Sequence, residues 1–215
     1  MNEVMKALIE RRSIRKFKPE MPRKEDLEQI IEAGLYAPSA RGMQPTIIVA
    51  VTDKETRDRL SRTNAEIWGR EDFDPFYGAP AILIVLAQKD WPNRVYDGSL
   101  VMGNMMLAAH ALGLGGIWIH RAKQEFEMDE WKEWLKSIGV EGEWEGIGHC
   151  AVGYIDGDMP KAAKRKEICI CMRRWGIIRP DKSKRSMIGW ILYITRRINI
   201  DKFQFIEVIE NDHRN

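Results

Sequence analysis

Apolar residues recur along the chain at two spacings, one typical of helices and one typical of strands. A spacing of three to four residues predicts helices over residues 3–12, 22–35, 53–67, 96–112 and 128–138. Short β-branched or fully apolar runs predict strands over residues 46–52, 79–87, 116–120 and 146–154. Because helices and strands alternate, we expect an α/β or α+β fold with a covered sheet.

Several of these elements have recognisable ends and faces. Asp53 is a candidate N-cap for the third helix, and Gly34 and Pro38 close the second. The run APAILIVLA (79–87) is apolar on both sides of the strand pattern, which predicts a central strand covered on each face. The fourth helix, rich in Met, Ala and Gly, is expected to be buried. No repeat or Pro/Ser-rich linker interrupts residues 1–167, which form one predicted domain.

The composition changes near Glu167. Residues 168–215 contain ten Lys and Arg, five Asp and Glu, eleven Ile and no Ala, so this tail has a net charge of +5 and residues 1–167 have −3. Three interpretations are open: out-of-frame translation after a frameshift, an extension whose basic helix over residues 186–197 touches a membrane surface or a partner, or a surface element packed on its own domain. A frameshift accounts for both the loss of Ala and the excess of Ile and Arg.

Charge and cysteine content exclude several classes of protein. The 34 Lys and Arg nearly balance the 32 Asp and Glu, so no global field for a nucleic-acid partner is expected. Cys150, Cys169 and Cys171 are too few for a disulfide framework and lack zinc-site spacing. The charged start predicts an amphipathic helix rather than a signal peptide, and the longest apolar runs are too short to span a bilayer. We expect a cytoplasmic protein with no membrane span and no metal.

A basic segment, RRSIRKFK (11–18), places five cations and a hydroxyl at the end of the first predicted helix. All six are candidates for a phosphate clamp, because arginine binds phosphate through two parallel hydrogen bonds and keeps its charge: Arg11, Arg12, Ser13, Arg15, Lys16 and Lys18. The alternative is a solvated surface, since the helix dipole also stabilises cations at a helix C-terminus. Residue types alone leave both open.

Two further segments have the composition of binding loops. In APSARGMQP (37–45), two prolines, a glycine and a serine specify a shaped loop, and Ser39 and Gln44 suit the hydrogen-bonding edge of a heterocycle. In LGLGGIWIH (112–120), glycines before a strand allow a backbone to approach a ligand closely. The alternatives are an ordinary helix-to-strand connection and a simple helix stop.

No catalytic pair of side chains is recognisable. His120 and His149 lie in apolar strand patterns, as expected of core residues rather than ligands, and Cys150 has no neighbouring base. The sequence contains no Rossmann, P-loop, G-x-S-x-G or H-E-x-x-H pattern. Most of the eight tryptophans lie in segments patterned as core, so base stacking is not expected.

In their order along the chain, these segments resemble the nitroreductase family of flavin oxidoreductases. The resemblance is carried by RRSIRKFKPE (11–20), APSARGMQP (37–45), YGAPAILIV (77–85), MGNMMLAAHALGLGGIWIH (102–120), GIGHCAVGY (146–154) and PKAAKRKE (160–167). It covers about residues 1–167. It implies an α+β fold with a mixed central sheet, a homodimer, and FMN bound without covalent attachment at the dimer interface.

The resemblance assigns roles to individual positions. The residues matching those that hold the FMN phosphate and ribityl chain are Arg11, Arg12, Ser13 and Arg15. A basic pair that adds phosphate contacts matches Lys164 and Arg165.

Other positions match the surroundings of the flavin ring. The loop that lines the flavin, often from the partner subunit, matches Pro38, Ser39 and Ala40, with Gln44 as a further contact. The backbone that approaches flavin N5 matches Ile119, His120 and Arg121.

The implied activity is ping-pong transfer of electrons from NAD(P)H to a nitroaromatic, a quinone or a similar small acceptor. The flavin performs the hydride chemistry, which explains why no catalytic pair is recognisable. Gly42 and Thr46 depart from the Asn and the aromatic residue of many relatives and bear on the acceptor pocket. Relatives also usually end soon after the basic pair. The alternatives are a flavin-binding redox sensor, another flavin reaction on the same fold such as reductive dehalogenation, and a scaffold without cofactor.

Overall fold

The computed structural model describes residues 1–165. The helices are α1 (Glu3–Glu10), α2 (Lys24–Leu35), α3 (Lys54–Trp68), α4 (Arg94–Ala111), α5 (Ala122–Glu127) and α6 (Asp129–Ser137). The strands are β1 (Thr46–Val51), β2 (Ala81–Gln88), β3 (Gly115–Ile119) and β4 (Trp144–Gly153). All of them belong to one compact unit, Met1–Ala162. The predicted boundary near Glu167 and the tail lie outside the described residues, so both stay predictions.

The four strands form one sheet in the order β1-β2-β4-β3, and each neighbouring pair is antiparallel. The α+β class is therefore confirmed. Within residues 1–165, the parallel component of the expected mixed sheet is limited to one bridge, between Ser13 and Gly116. This bridge joins the segment after α1 to β3, at the start of an edge strand.

Strand β2 separates two apolar layers. Ile82, Ile84 and Leu86 pack in the layer that contains the aromatic residues of α5 and α6, and Leu83 and Val85 pack in the layer with α2 and α4. All five side chains are fully buried. Burial of each such side chain contributes about 1.5–3 kcal/mol. The prediction of a central strand covered on both faces is confirmed.

The predicted elements are all present, with ends that differ by at most two residues. Asp53 caps α3 as predicted, because its carboxylate accepts the N–H of Thr56 at 2.8 Å. Helix α1 ends before Arg11, which has an extended backbone with ψ 134°. The prediction missed α5, whose six residues are too few to show a helical spacing.

The expectation that α4 is buried is correct for one face only. Met102 and Met105 are fully buried, whereas Tyr96 and Leu100 are exposed. Helix α1 buries no residue at all, and its apolar side is open. Two apolar helical surfaces therefore remain uncovered in the described chain. None of the helices within residues 1–165 combines the length and apolar character needed to cross a bilayer.

Asp74 holds the loop between α3 and β2. Its carboxylate accepts hydrogen bonds from Ser61 Oγ (2.7 Å), the Phe76 N–H (3.0 Å) and the Gly78 N–H (2.7 Å), and it pairs with Arg57. Burial by itself raises the pKa of Asp74, but the hydrogen bonds from Arg57 and Ser61 outweigh burial and hold the pKa below its ordinary value. The loop that carries Phe76 into the core is thus fixed by a charged group.

Gly146 of β4 offers a test of how closely α5 packs on the sheet. A Cβ at this position would lie 2.2 Å from the carbonyl oxygen of Ala122. We expect Gly146→Ala to lower the free energy of unfolding by about 3 kcal/mol, because the clash is with backbone that cannot rotate away. Urea denaturation measures the change.

Gly116→Ala is the matched control in the same sheet. Its new Cβ would lie 3.4 Å from the Cβ of Ala109, close to an ordinary contact. Equal losses of stability in the two variants would contradict the proposed packing of α5.

Candidate functional site

The segment after α1 runs along β3 and fixes the basic motif at the start of that strand. Ser13 forms the parallel bridge with Gly116, and the Ile14 N–H donates to the Gly116 carbonyl at 3.4 Å. Ile14 is buried, and a Cβ at Gly115 would lie 2.9 Å from its Cγ1. Glycine at position 115 therefore permits this close approach.

Arg11 and Arg12 have buried nitrogens without a partner. Arg11 Nη1 and Arg12 Nε are shielded from solvent, and no hydrogen-bond acceptor among residues 1–165 reaches them. Arg12 Nη1, in contrast, donates to the carbonyls of Ile9 (2.6 Å) and Arg11 (2.7 Å). An unpaired buried donor on a charged group is costly, so these two nitrogens favour an anion that residues 1–165 do not supply. The phosphate role of Arg11 and Arg12 stays a prediction.

Two other cations of the basic motif are exposed, unlike the buried nitrogens of Arg11 and Arg12. Arg15 is exposed, and Lys16 forms an exposed ion pair with Asp156 at 2.7 Å. The side chain of Arg15 makes no hydrogen bond or ion pair with residues 1–165. The bridge of Ser13 to Gly116 therefore places Arg11, Arg12 and Ser13 at the start of β3, and the role of Arg15 stays a prediction.

The loop after α2 is shaped by its own hydrogen bonds. Ser39 Oγ accepts the N–H of Gln44 at 2.9 Å, and the chain turns through a single 3-10 turn, Ala40–Gly42. Arg41 and Gln44 have positive φ values of 57° and 48°, which non-glycine residues rarely adopt. The Ser39 hydroxyl is thus used within the loop. Pro38 and the Gln44 side chain are exposed.

Asp97 anchors this loop to α4 and was missed from the sequence. Its carboxylate is buried, Oδ1 accepts the Ala40 N–H at 3.0 Å, and Oδ2 accepts Trp91 Nε1–H at 2.8 Å. A cavity of about 160 Å³ lies between the loop and α4, lined by Pro38, Ser39, Gln44, Asp97 and others. A lone carboxylate in the first turn of an otherwise apolar helix is the signal that could have identified it.

The far end of β3 carries a strained turn. Ile119 is buried, but β3 ends there and His120 is exposed, so the expectation that His120 is a core residue was wrong. Arg121 has a left-handed backbone with φ 80°. The buried Asn64 of α3 donates through Nδ2 to the His120 carbonyl at 3.0 Å and accepts Arg121 Nε–H at 2.9 Å. Asn64 therefore fixes both the backbone and the side chain of this turn.

His149 is a core residue, as predicted, but it is not alone. Its Nε2 lies 2.7 Å from Glu125 Oε2, and both side chains are fully buried beside the rings of Phe76 and Phe126. No group of three potential metal ligands occurs among residues 1–165.

Cys150 does not have the properties of a nucleophile. It is a free, fully buried cysteine, and burial raises the pKa of its thiol to about 12. The thiol is therefore protonated at neutral pH and unreactive.

The predicted site residues fall into separate groups. Arg11, Arg12 and Ser13 lie at the start of β3, and Ile119, His120 and Arg121 at its end. No hydrogen bond among residues 1–165 joins the Pro38–Gln44 loop to either group. Lys164 and Arg165 are exposed and outside the compact unit, so their phosphate role stays a prediction.

Asp97→Ala tests whether this carboxylate holds the loop. The substitution leaves the Ala40 N–H and Trp91 Nε1–H without their acceptor, and a buried unpaired donor costs about 1–3 kcal/mol. We expect the free energy of unfolding to fall by about 2 kcal/mol and the Ala40 amide to exchange faster with solvent, as measured by denaturation and NMR. Asp97→Asn, which keeps one acceptor oxygen, is expected to lose less. Unchanged Ala40 exchange in Asp97→Ala would show that the loop is held by other contacts.

Comparison with known proteins identifies the family. The model of the Nitroreductase family matches residues 8–154. The FMN reductase of Bacillus subtilis is 44% identical over 139 residues, 54% of this chain and 53% of that protein. The NADPH-flavin oxidoreductase of Vibrio harveyi is 33% identical over 129 residues, 55% of this chain and 54% of that protein. The chain thus spans about half the length of these two curated relatives.

A solved structure supports the same family. The nitroreductase with bound FMN from Bacteroides fragilis superimposes with a TM-score of 0.73 at 26% identity, covering 81% of this chain and 100% of that one. With the family model matching residues 8–154 and the α+β fold in agreement, this chain belongs to the nitroreductase family.

Proposed function

We propose that the chain is an FMN-dependent oxidoreductase that passes electrons from NAD(P)H to a nitroaromatic, a quinone or a similar small acceptor. The observation that carries this proposal is the pair of buried, unpaired nitrogens of Arg11 and Arg12 at the start of β3. Relatives named as FMN reductase and NADPH-flavin oxidoreductase support the same cofactor and donor.

The basic motif fits the phosphate of FMN. Arg11 Nη1 and Arg12 Nε are donors that lack an acceptor, and a phosphate supplies several charged acceptor oxygens. Ser13 is fixed beside them by its bridge to Gly116. In this assignment Arg15 adds positive charge around the same group, and the phosphate role of Lys164 and Arg165 stays a prediction from the resemblance.

The other end of β3 and the Pro38–Gln44 loop would surround the flavin ring. The residues are Pro38, Ser39, Ala40 and Gln44 on the loop, and Ile119, His120 and Arg121 at the strand end. When bound, FMN supplies the hydride chemistry, accepting a hydride from NAD(P)H and returning electrons to the acceptor. The protein's part is to bind and orient it, and no side chain is required as a nucleophile. The buried, protonated Cys150 agrees with this.

Reduction by NAD(P)H is favoured over the other reactions of this fold. A relative named as iodotyrosine deiodinase, from Thermotoga neapolitana, is 26% identical over 74% of this chain. The nearer relatives by identity are named for flavin reduction. We place the enzyme in the cytoplasm, where the NAD(P)H pool is regenerated and where a free cysteine such as Cys150 stays reduced.

A second copy of this chain is the proposed occupant of the exposed apolar helices. Helix α1 buries nothing, and Val4, Leu8 and Ile9 project from it, while Tyr96 and Leu100 project from α4. The α1 surface continues directly into Arg11 and Arg12, so a subunit covering α1 would also enclose the proposed phosphate site. Within residues 1–165 no hydrogen bond joins the Pro38–Gln44 loop to the basic motif, so this loop is then free to line the partner's flavin.

Binding of FMN tests the proposed function. We expect the apoprotein to bind one FMN per chain and Arg11→Ala to bind it at least tenfold more weakly, because a hydrogen bond to a charged group contributes about 1.5–3 kcal/mol. Quenching of flavin fluorescence measures the affinity. Riboflavin, which lacks the phosphate, should bind the two proteins equally.

Arg59→Ala is the control for FMN binding, since Arg59 pairs with Glu130 of α6 at 2.7 Å.

In the wild-type enzyme loaded with FMN, NAD(P)H oxidation with a quinone should give parallel double-reciprocal plots. A chain that binds no FMN, or one that binds FMN but does not oxidise NAD(P)H, would refute the enzymatic proposal, and the second result would favour a redox sensor.

Leu8→Glu tests the dimer. Leu8 is 53% exposed and α1 buries no residue, so the charge should leave folding of the subunit intact. Burying that carboxylate in a subunit interface is costly. We expect wild type to be a dimer and Leu8→Glu a monomer at micromolar concentration by light scattering. Lys6→Glu, on the other side of α1, should remain dimeric; a monomeric wild-type protein would overturn the assignment.

A further inference from the structure

Arg121 is held in an unusual position at the end of β3. Its backbone is left-handed, with φ 80°, a conformation that costs a non-glycine residue energy and persists only when surrounding contacts enforce it. Asn64, which is fully buried, supplies those contacts by donating to the His120 carbonyl and accepting from Arg121 Nε–H. The turn is therefore fixed by α3, an element distant in sequence.

The guanidinium of Arg121, like its backbone, is held by contacts with α3. Its Nε–H···Oδ1 bond to Asn64 is 2.9 Å long, and its Cζ lies 4.6 Å from the centre of the Trp68 ring. A hydrogen bond on one side and stacking on a ring leave the planar group little freedom. Burial lowers the pKa of Arg121, but an arginine remains charged at neutral pH.

The outer edge of this guanidinium has no hydrogen-bond partner among residues 1–165. No carboxylate within residues 1–165 lies within ion-pair distance of Arg121, and Nη1 and Nη2 make no hydrogen bond to any of these residues. The buried Glu125 is already beside His149. Arg70 adds a second positive charge, with its Cζ 5.2 Å from the Trp68 ring. Arg121 thus presents a pre-oriented pair of donors, a geometry suited to a carboxylate, and the charges near it are those of Arg70 and of the buried Glu125.

The FMN phosphate is not the expected anion. Its proposed ligands, Arg11 and Arg12, lie next to Ser13 and Gly116 at the start of β3. Arg121 follows the end of the same strand, five residues after Gly116. At the rise of an extended chain, five residues span about 16 Å. In the proposed function this end of β3 lies beside the flavin ring, so an anion bound by Arg121 would be a separate molecule, the acceptor.

We propose that Arg121, oriented by Asn64 and Trp68, selects electron acceptors that carry a carboxylate, such as aromatic nitro acids and carboxylated quinones. This inference rests on the proposed function, which places the turn beside the flavin ring. Asn64 is the positioning residue and Arg121 the specificity-determining one.

The experiment compares two acceptors of nearly equal shape, 4-nitrobenzoate and 4-nitrobenzamide, which differ by one charge. At saturating NAD(P)H and low ionic strength, the wild-type holoenzyme should have the higher kcat/KM with 4-nitrobenzoate. In Arg121→Gln the ratio of the two kcat/KM values should fall about tenfold, and Arg121→Lys should recover part of it. Arg59→Gln is the matched control and should leave the ratio unchanged, because the Arg59 guanidinium is paired with Glu130 and its Cζ lies 5.2 Å from the centre of the Trp131 ring.

A binding measurement separates this inference from the activity. Benzoate titrated into the oxidised holoenzyme should perturb the flavin absorption spectrum or release heat, with a dissociation constant about tenfold weaker in Arg121→Gln. If the wild type turned over neither acceptor, the proposed function would be refuted. The benzoate titration would still show whether Arg121 binds a carboxylate. Equal benzoate affinity in wild type and Arg121→Gln, or a variant that changes only KM for NAD(P)H, would overturn the acceptor role.

Discussion

Burial of β2 on both faces governs where this chain can bind anything polar. The strand and its neighbours are covered by apolar layers on either side, and a charged ligand placed there would lose its hydration without compensation. Binding groups are therefore confined to strand ends, loops and the sheet edge. Strand β3, an edge strand, carries such groups at both ends: the basic motif is bridged to its start, and the turn of Arg121 follows its end.

Two features of the isolated chain are physically incomplete. Buried guanidinium nitrogens of Arg11 and Arg12 have no acceptor among the described residues, and apolar side chains of α1 and α4 face outward. The arginine nitrogens cost free energy because they are desolvated without a hydrogen bond. The apolar side chains cost free energy because their surface is exposed to water. The proposed FMN and the proposed second subunit would relieve them together, because α1 leads directly into the basic motif.

Buried polar side chains give the site its shape. Asp97 joins α4 to the Ala40 backbone, and Asn64 joins α3 to the turn at Arg121. Both turns contain or adjoin residues with positive φ, which a free chain would seldom populate. Such conformations persist because an unsatisfied buried carboxylate or amide would cost more than the backbone strain. Contacts within the chain itself therefore hold both turns in place.

The sequence by itself determined the elements and the family. Apolar periodicity located β2 and five of the helices to within two residues, Asp53 marked the start of α3, and the order of motifs identified the family. These features depend on local spacing, which the sequence displays directly. It also pointed to Arg11 and Arg12, although it could not distinguish buried donors from solvated ones.

Only the tertiary structure decided the environment of each residue. His120 fits a strand pattern, yet it is exposed because β3 ends one residue earlier. The pattern of α4 predicts a buried helix, yet its Tyr96 and Leu100 are exposed. Asn64 and the orientation of the Arg121 guanidinium have no signal in spacing or composition, because they depend on partners more than fifty residues away. Asp97 is marked only as a lone carboxylate in an apolar helix, and its partner Ala40 is equally distant in sequence. Burial and hydrogen bonding are properties of contacts between distant segments, and those contacts exist only in the folded chain.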